Sequence, residues 1–181
     1  MSPRYPPVSV APLRSATNSP RSDWQDAEVP ALTHSASVVV ATSPEELYDL
    51  VSDVTRTGEW SPVCRACWWD EGASATPGAW FTGRNEVPGR TWETRSQVVV
   101  ADRGREFAWL VSGRLVRWAF TLAPVEGGTQ LTESWEFLPA GLEVFAERYG
   151  ADAQAQIEDR TRSALDGIPA TLAAIKRIAE G

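Results

Sequence analysis

The chain is 181 residues long, 43% hydrophobic and 23% charged, with a formal net charge of −7 and a pI near 4.8. That length fits one domain, burying roughly two thirds of its unfolded surface. The acidic balance excludes the clustered basic face of a nucleic-acid binder. No run approaches the ~18 apolar residues of a membrane span, so a cytoplasmic protein without membrane insertion is expected.

Residues 1–30 hold six of the 13 prolines among Ser, Arg and Asn, with little periodicity, and are expected to form a disordered leader to a domain over 31–181. All but Lys176 of the 17 basic residues are arginine, a bias that points to a GC-rich bacterial genome. Leu32 to Ala41 is β-branched and short-chained and predicts a first strand. Ser43-Pro44-Glu45-Glu46 then supplies a capping Ser, Pro at the first helical position and Glu three residues after the cap. Leu47, Leu50, Val51 and Val54 continue at helical spacing, and Gly58 ends the helical stretch before a turn at Glu59-Trp60-Ser61-Pro62.

Turn signals recur from there on: Gly72 to Gly78, Pro88-Gly89, Arg103-Gly104, Ser112-Gly113 and Gly127-Gly128. Alternating segments between them predict strands near 63–70, 79–87, 92–101, 105–111, 114–123 and 129–138, an antiparallel meander. Cys64 and Cys67 fall in the first of these as a C-x-x-C, but residues three apart in a strand face opposite sides. With His34 as the single histidine, four zinc ligands are hard to assemble. A structural role is expected for both cysteines, over a redox pair or half of a zinc site, with no metal and no other cofactor. Beyond Pro139 the period changes. Ile157, Thr161, Ala164, Ile168, Leu172, Ile175 and Ala179 step by three or four, predicting one long amphipathic helix with a kink or break at Gly167 and Pro169.

This order predicts an α+β protein in which a bent antiparallel sheet is closed by its last helix, leaving a gap between them. The residues then carry a resemblance. Ser43 to Val54, Gly58-Glu59-Trp60-Ser61-Pro62, Gly83-Arg84-Asn85 and Gly127 to Trp135 are together similar to the START-like (SRPBCC) superfamily, specifically its polyketide cyclase/dehydrase and lipid transport group. The resemblance spans about residues 32–180. It implies the helix-grip fold: a curved antiparallel sheet of about seven strands around a long C-terminal helix, with two short helices after the first strand. It is much less specific for function, because such folds carry lipids, bind hormones or aromatise polyketides.

Nine tryptophans are the chain's most informative feature, since bulky rings with one polar handle suit the wall of a small-molecule pocket. In 129–138, Leu131, Glu133, Trp135 and Phe137 share the face expected to turn inward. Glu133 is therefore the acid/base candidate. The alternative is a buried ion pair with Arg84, Arg95 or Arg117. Alternation groups Phe107, Trp109 and Val111 on one face, and Val116, Trp118 and Phe120 on another that meets it. With Trp80 and Trp92 these rings are candidates to line the pocket, or else to pack as ordinary core. One of Arg84 and Asn85, beside the mid-strand Gly83, is expected to point inward and orient a polar group of the ligand. Trp60 is expected at the cavity mouth, as a gate or as a plug.

No Ser/His/Asp set, nucleophile elbow or phosphate-binding glycine pattern is present. The leading expectation is a protein that binds a small hydrophobic or aromatic molecule, lipid or polyketide-like. The competing one is a cyclase, aromatase or dehydrase using Glu133 and an Arg for proton transfer, as the resemblance implies. A third is a self-filled interaction module, with a homodimer among its forms.

Overall fold

The computed structural model describes residues 32–181, so the Pro-rich stretch 1–30 lies outside the described residues. Strand β1 (Thr33–Val40) leads to α1 (Pro44–Val51) and a 3-10 helix (Val54–Glu59). Six strands follow: β2 (Cys64–Trp69), β3 (Trp80–Val87), β4 (Arg90–Asp102), β5 (Glu106–Val111), β6 (Val116–Val125) and β7 (Gly128–Phe137). The chain ends in α2 (Pro139–Tyr149), a short 3-10 turn and α3 (Ala153–Ala179). The seven strands form one antiparallel sheet in the order β1-β7-β6-β5-β4-β3-β2, a meander whose first strand returns beside its last. This is the helix-grip arrangement that the sequence pattern and the resemblance implied.

The capping box at the start of α1 is formed: Ser43 Oγ accepts from the Glu46 N–H, and the Glu46 carboxylate accepts from the Ser43 N–H. The helical stretch does not run on to Gly58 as one unit. Asp53 accepts from the Thr55 N–H at 3.1 Å and from Thr55 Oγ1 at 2.6 Å, so a new N-terminus is capped there and a separate 3-10 turn begins. Gly58 serves close approach instead. A Cβ on it would stand 2.5 Å from the Arg65 carbonyl oxygen, which is how the 3-10 turn lies against β2.

In α3 the predicted stripe is the buried one, with Ile157, Ala164, Ile168, Leu172 and Ile175 turned to the sheet. The helix continues through Gly167 and Pro169 without a break, and Pro169 is exposed on its solvent side. The only lysine ties its end to the sheet: Lys176 Nζ donates to the Val39 carbonyl at 2.7 Å and to Glu180, whose Oε1 accepts from the Ala41 N–H at 2.9 Å. Over the far end of the inner face, Leu47, Tyr48 and Val51 of α1 join the same core as Phe107, Phe120, Leu122 and Leu131.

The C-x-x-C departs from expectation. The register slips between Cys64 and Ala66: Cys64 pairs with Asn85, Ala66 with Arg84 and Cys67 with Gly83. This β-bulge absorbs one residue, so both cysteines face inward and both are buried. Among the described residues, no helix is long and apolar enough to cross a membrane.

Gly58→Ala is expected to destabilise the fold by about 1–3 kcal/mol, because the opposing atom is backbone and cannot step aside. Denaturant melts against Gly167→Ala provide the check, since a Cβ at Gly167 meets only Pro62 Cγ at an ordinary 3.6 Å.

Candidate functional site

Pairing decides which side chains face α3. Across the sheet's middle, Phe107 pairs with Phe120, Trp109 with Trp118 and Val111 with Val116, and β6 in turn sets Phe120 beside Glu133 and Trp118 beside Trp135. All of these point inward. They do not share one fate. Phe107, Phe120 and Trp135 are fully packed, with Tyr48 edge-on to Phe107 and Phe137 edge-on to Trp135. Trp60 belongs to the same core, at 5% exposure.

Trp109 and Trp118 remain half-buried although they lie on the inner face. Their rings are stacked 9° from parallel with centroids 6.4 Å apart, and Phe81 stands edge-on to Trp109. Asn85 and Trp92, paired across β3 and β4, are also half-buried on this face. Asn85 Nδ2 donates to Thr94 Oγ1 at 3.2 Å and to the Gly83 carbonyl, while the Arg90 guanidinium covers the Trp92 ring at 4.2 Å. α3 packs on β1 and β7, leaving this aromatic shelf only partly roofed.

Two of the expected lining residues lie on the opposite face. Trp80 pairs with Gln97 and has the Arg95 guanidinium stacked 4.5 Å from its ring centroid. Arg84 is exposed, 3.0 Å from Glu93 and over Trp68. Alternation forces this outcome: with Phe81 and Asn85 inward, Trp80 and Arg84 must be outward. Trp69, which sequence reading passed over, takes an inner place edge-on to Phe81; counting by twos from Cys67 would have found it.

The concavities that stand out are also on the outer side. One, of about 310 Å³, runs over Thr33, Ser35, Arg117, Ser134 and Glu136. The other, about 580 Å³, is bounded by Trp68, Asp70, Glu71, Trp80 and Arg95. No enclosed chamber between sheet and α3 stands out among the described residues. On the inner face Phe107, Phe120 and Trp135 are packed core, while Trp109 and Trp118 stay partly buried.

Glu133 is 5% exposed at the centre of β7, between Ala36 of β1 and Phe120 of β6. None of its expected arginine partners reaches it: Arg84 pairs with Glu93, Arg95 with Asp70 at 2.6 Å and Arg117 with Glu106 at 2.5 Å, all on the outer face. Its Oε2 has no hydrogen-bond partner. Burial alone pushes its carboxyl up to about 8, so at neutral pH it is mostly protonated and can donate. No group of three or more metal-ligating side chains occurs among the described residues.

The buried carboxyl has a consequence for stability. Its folded pKa is about 8 against an ordinary 4.5, so between those values the native state binds more protons than the unfolded chain. The contribution is fully present below the lower value and lost as pH rises through the higher. The slope approaches 1.4 kcal/mol per pH unit, summing to a few kcal/mol. Urea melts at pH 5.5 and 8.5 are expected to show the loss in the parent and its near disappearance in Glu133→Gln.

A search of the curated proteins finds no match to this chain. Among solved structures, the polyketide cyclase-like protein Cgl2372 of Corynebacterium glutamicum is 51% identical over 82% of this chain and 91% of its own, with a TM-score of 0.61. Two more distant proteins share the fold. The di-domain ARO/CYC StfQ of the steffimycin biosynthetic pathway is 17% identical over 83% of this chain, at TM-score 0.62, and this chain spans 51% of it. Protein NE0264 of Nitrosomonas europaea is 14% identical over 81% of this chain and 92% of its own, at TM-score 0.59. The model of the polyketide cyclase/dehydrase and lipid transport family matches residues 31–173, and with that span of agreement in both sequence and topology the chain belongs to this family.

Proposed function

We propose that the protein binds a small hydrophobic or aromatic molecule against the inner face of its sheet, with Trp109 and Trp118 as the stacking platform. One observation carries this reading: two nearly parallel indoles face inward and yet stay only partly buried. Apolar rings on an inward face are normally covered by their own protein, and a planar ligand laid on them would complete the packing and bury further apolar surface. Asn85 lies further along the same face, in the β3–β4 hairpin, where its amide offers an orienting polar contact. Membership of a family named for cyclases, dehydrases and lipid transport agrees with a ligand of this class.

A second reading is favoured by Glu133. A carboxyl held protonated inside an apolar core, with one oxygen unpartnered, is suited to donate a proton to a substrate carbonyl or hydroxyl during cyclisation or dehydration. The likeness to the di-domain ARO/CYC protein is one of fold alone, and the substrate class on this reading is a poly-carbonyl chain.

Pyrenebutyrate and palmitate serve as probes for the first reading. Saturable quenching of tryptophan emission by pyrenebutyrate is expected, with affinity about ten-fold weaker in Trp118→Ala and unchanged in Trp80→Ala on the outer face. Quenching by neither probe, or equal weakening by both substitutions, would overturn it.

For the second, turnover of a linear poly-β-carbonyl thioester is followed in Glu133→Gln. The expected rate loss is about 100-fold or more with pyrenebutyrate binding retained. An unchanged rate removes Glu133 from the chemistry.

A further inference from the structure

Gly83 lies in the middle of β3, facing inward, and is buried. A Cβ there would meet Cys64 Sγ at 3.4 Å, Cys67 Sγ at 3.8 Å and Thr94 Oγ1 at 3.8 Å. Both sulphurs therefore converge over one missing side chain. The bulge makes this possible. Without it, three strand rises would separate the two Cα atoms by about 10 Å, beyond any disulfide. With one residue absorbed, their β3 partners Asn85 and Gly83 are two residues apart, a separation of about 6.6 Å, at the upper end of what a disulfide spans. The two thiols also interact with each other. Cys64 Sγ donates to the Ala66 carbonyl at 3.3 Å, and each thiol shifts the ionisation of the other.

We propose that Cys64 and Cys67 form an oxidisable dithiol, a modification site at which a small peroxide closes an internal disulfide across the β2 bulge. The site is independent of the ligand reading above. The pair is differentiated as such chemistry requires: the hydrogen bond from its partner draws the Cys64 thiol below its ordinary value, while the same contact and burial push the Cys67 thiol up. Cys64 is thus the attacking group. Its thiolate takes the terminal oxygen of the peroxide, the O–O bond breaks, water leaves and Cys64 becomes a sulfenic acid. Cys67 then gives up its proton and attacks the Cys64 sulphur, the S–S bond forms and the sulfenic oxygen leaves as a second water. Two electrons pass from the two thiols to the peroxide, and a dithiol reductant reverses the change. Access comes from the inner side, where Asn85, opposite Cys64 in register, is only half-buried.

The test uses the full chain. Folded protein is exposed to hydrogen peroxide, unfolded in iodoacetamide and weighed. Loss of two hydrogens with no alkylation is expected, and two alkylations return after treatment with dithiothreitol. Folded, reduced protein is also expected to take up one phenylarsine oxide per chain. Two alkylations after peroxide, oxygen added in place of hydrogens lost, or a disulfide joining two chains would each overturn the site. In Cys67→Ser, dimedone is expected to trap a sulfenic acid on Cys64 at least ten-fold faster than on Cys67 in Cys64→Ser. Equal or reversed trapping would overturn the assigned order of attack, while the parent mass measurement needs no variant to fold.

Discussion

The stripe of apolar side chains on α3, from Ile157 to Ile175, holds one half of the sheet's inner face dry, and every other property of this molecule follows from where that stripe stops. Each fully buried Ile or Leu there contributes roughly 1.5–3 kcal/mol by leaving water. The stripe lies over β1 and β7, and α1 adds Leu47, Tyr48 and Val51 at the far end. Beyond that reach the sheet continues with Trp109 and Trp118 still facing inward and only partly buried. A meander of seven strands is wider than one helix can cover. The uncovered remainder is the candidate site.

Charge is sorted by the same geometry. The arginines that sequence alone offers as partners for Glu133 stand on the outer face beside Glu93, Asp70 and Glu106, where water shares the cost of each pair. Glu133 is left alone among apolar neighbours, and the cheapest response is to keep its proton. On the proposed cyclase reading, a carboxyl whose environment makes its charged form costly is what a proton donor requires.

The missing side chain of Gly83 in mid-strand lets two sulphurs approach one another beneath β3, and the bulge in β2 brings both to one side. The 3-10 turn packs on β2 through Gly58, whose missing side chain admits the Arg65 carbonyl. A local irregularity in pairing has converted two residues that ought to face apart into a single chemical unit.

Period and punctuation made the elements legible from sequence. The capping Ser and Pro of α1, the glycine turns between strands and the three-four stepping of α3 each act through bonds within a few residues, so the string of residues contains the whole cause. Alternation likewise assigned Glu133, Trp109, Trp118 and Phe120 to an inner face. Tertiary structure alone decided the rest. Whether an inward ring is core or platform depends on what lies above it, which separated Trp135 and Phe107 from Trp109 and Trp118. The phase of β3 sent Trp80 and Arg84 outward, and the β2 bulge reversed the expected facing of Cys64 relative to Cys67. Pairing register and helix reach are properties of distant segments meeting, and no window of neighbouring residues contains them.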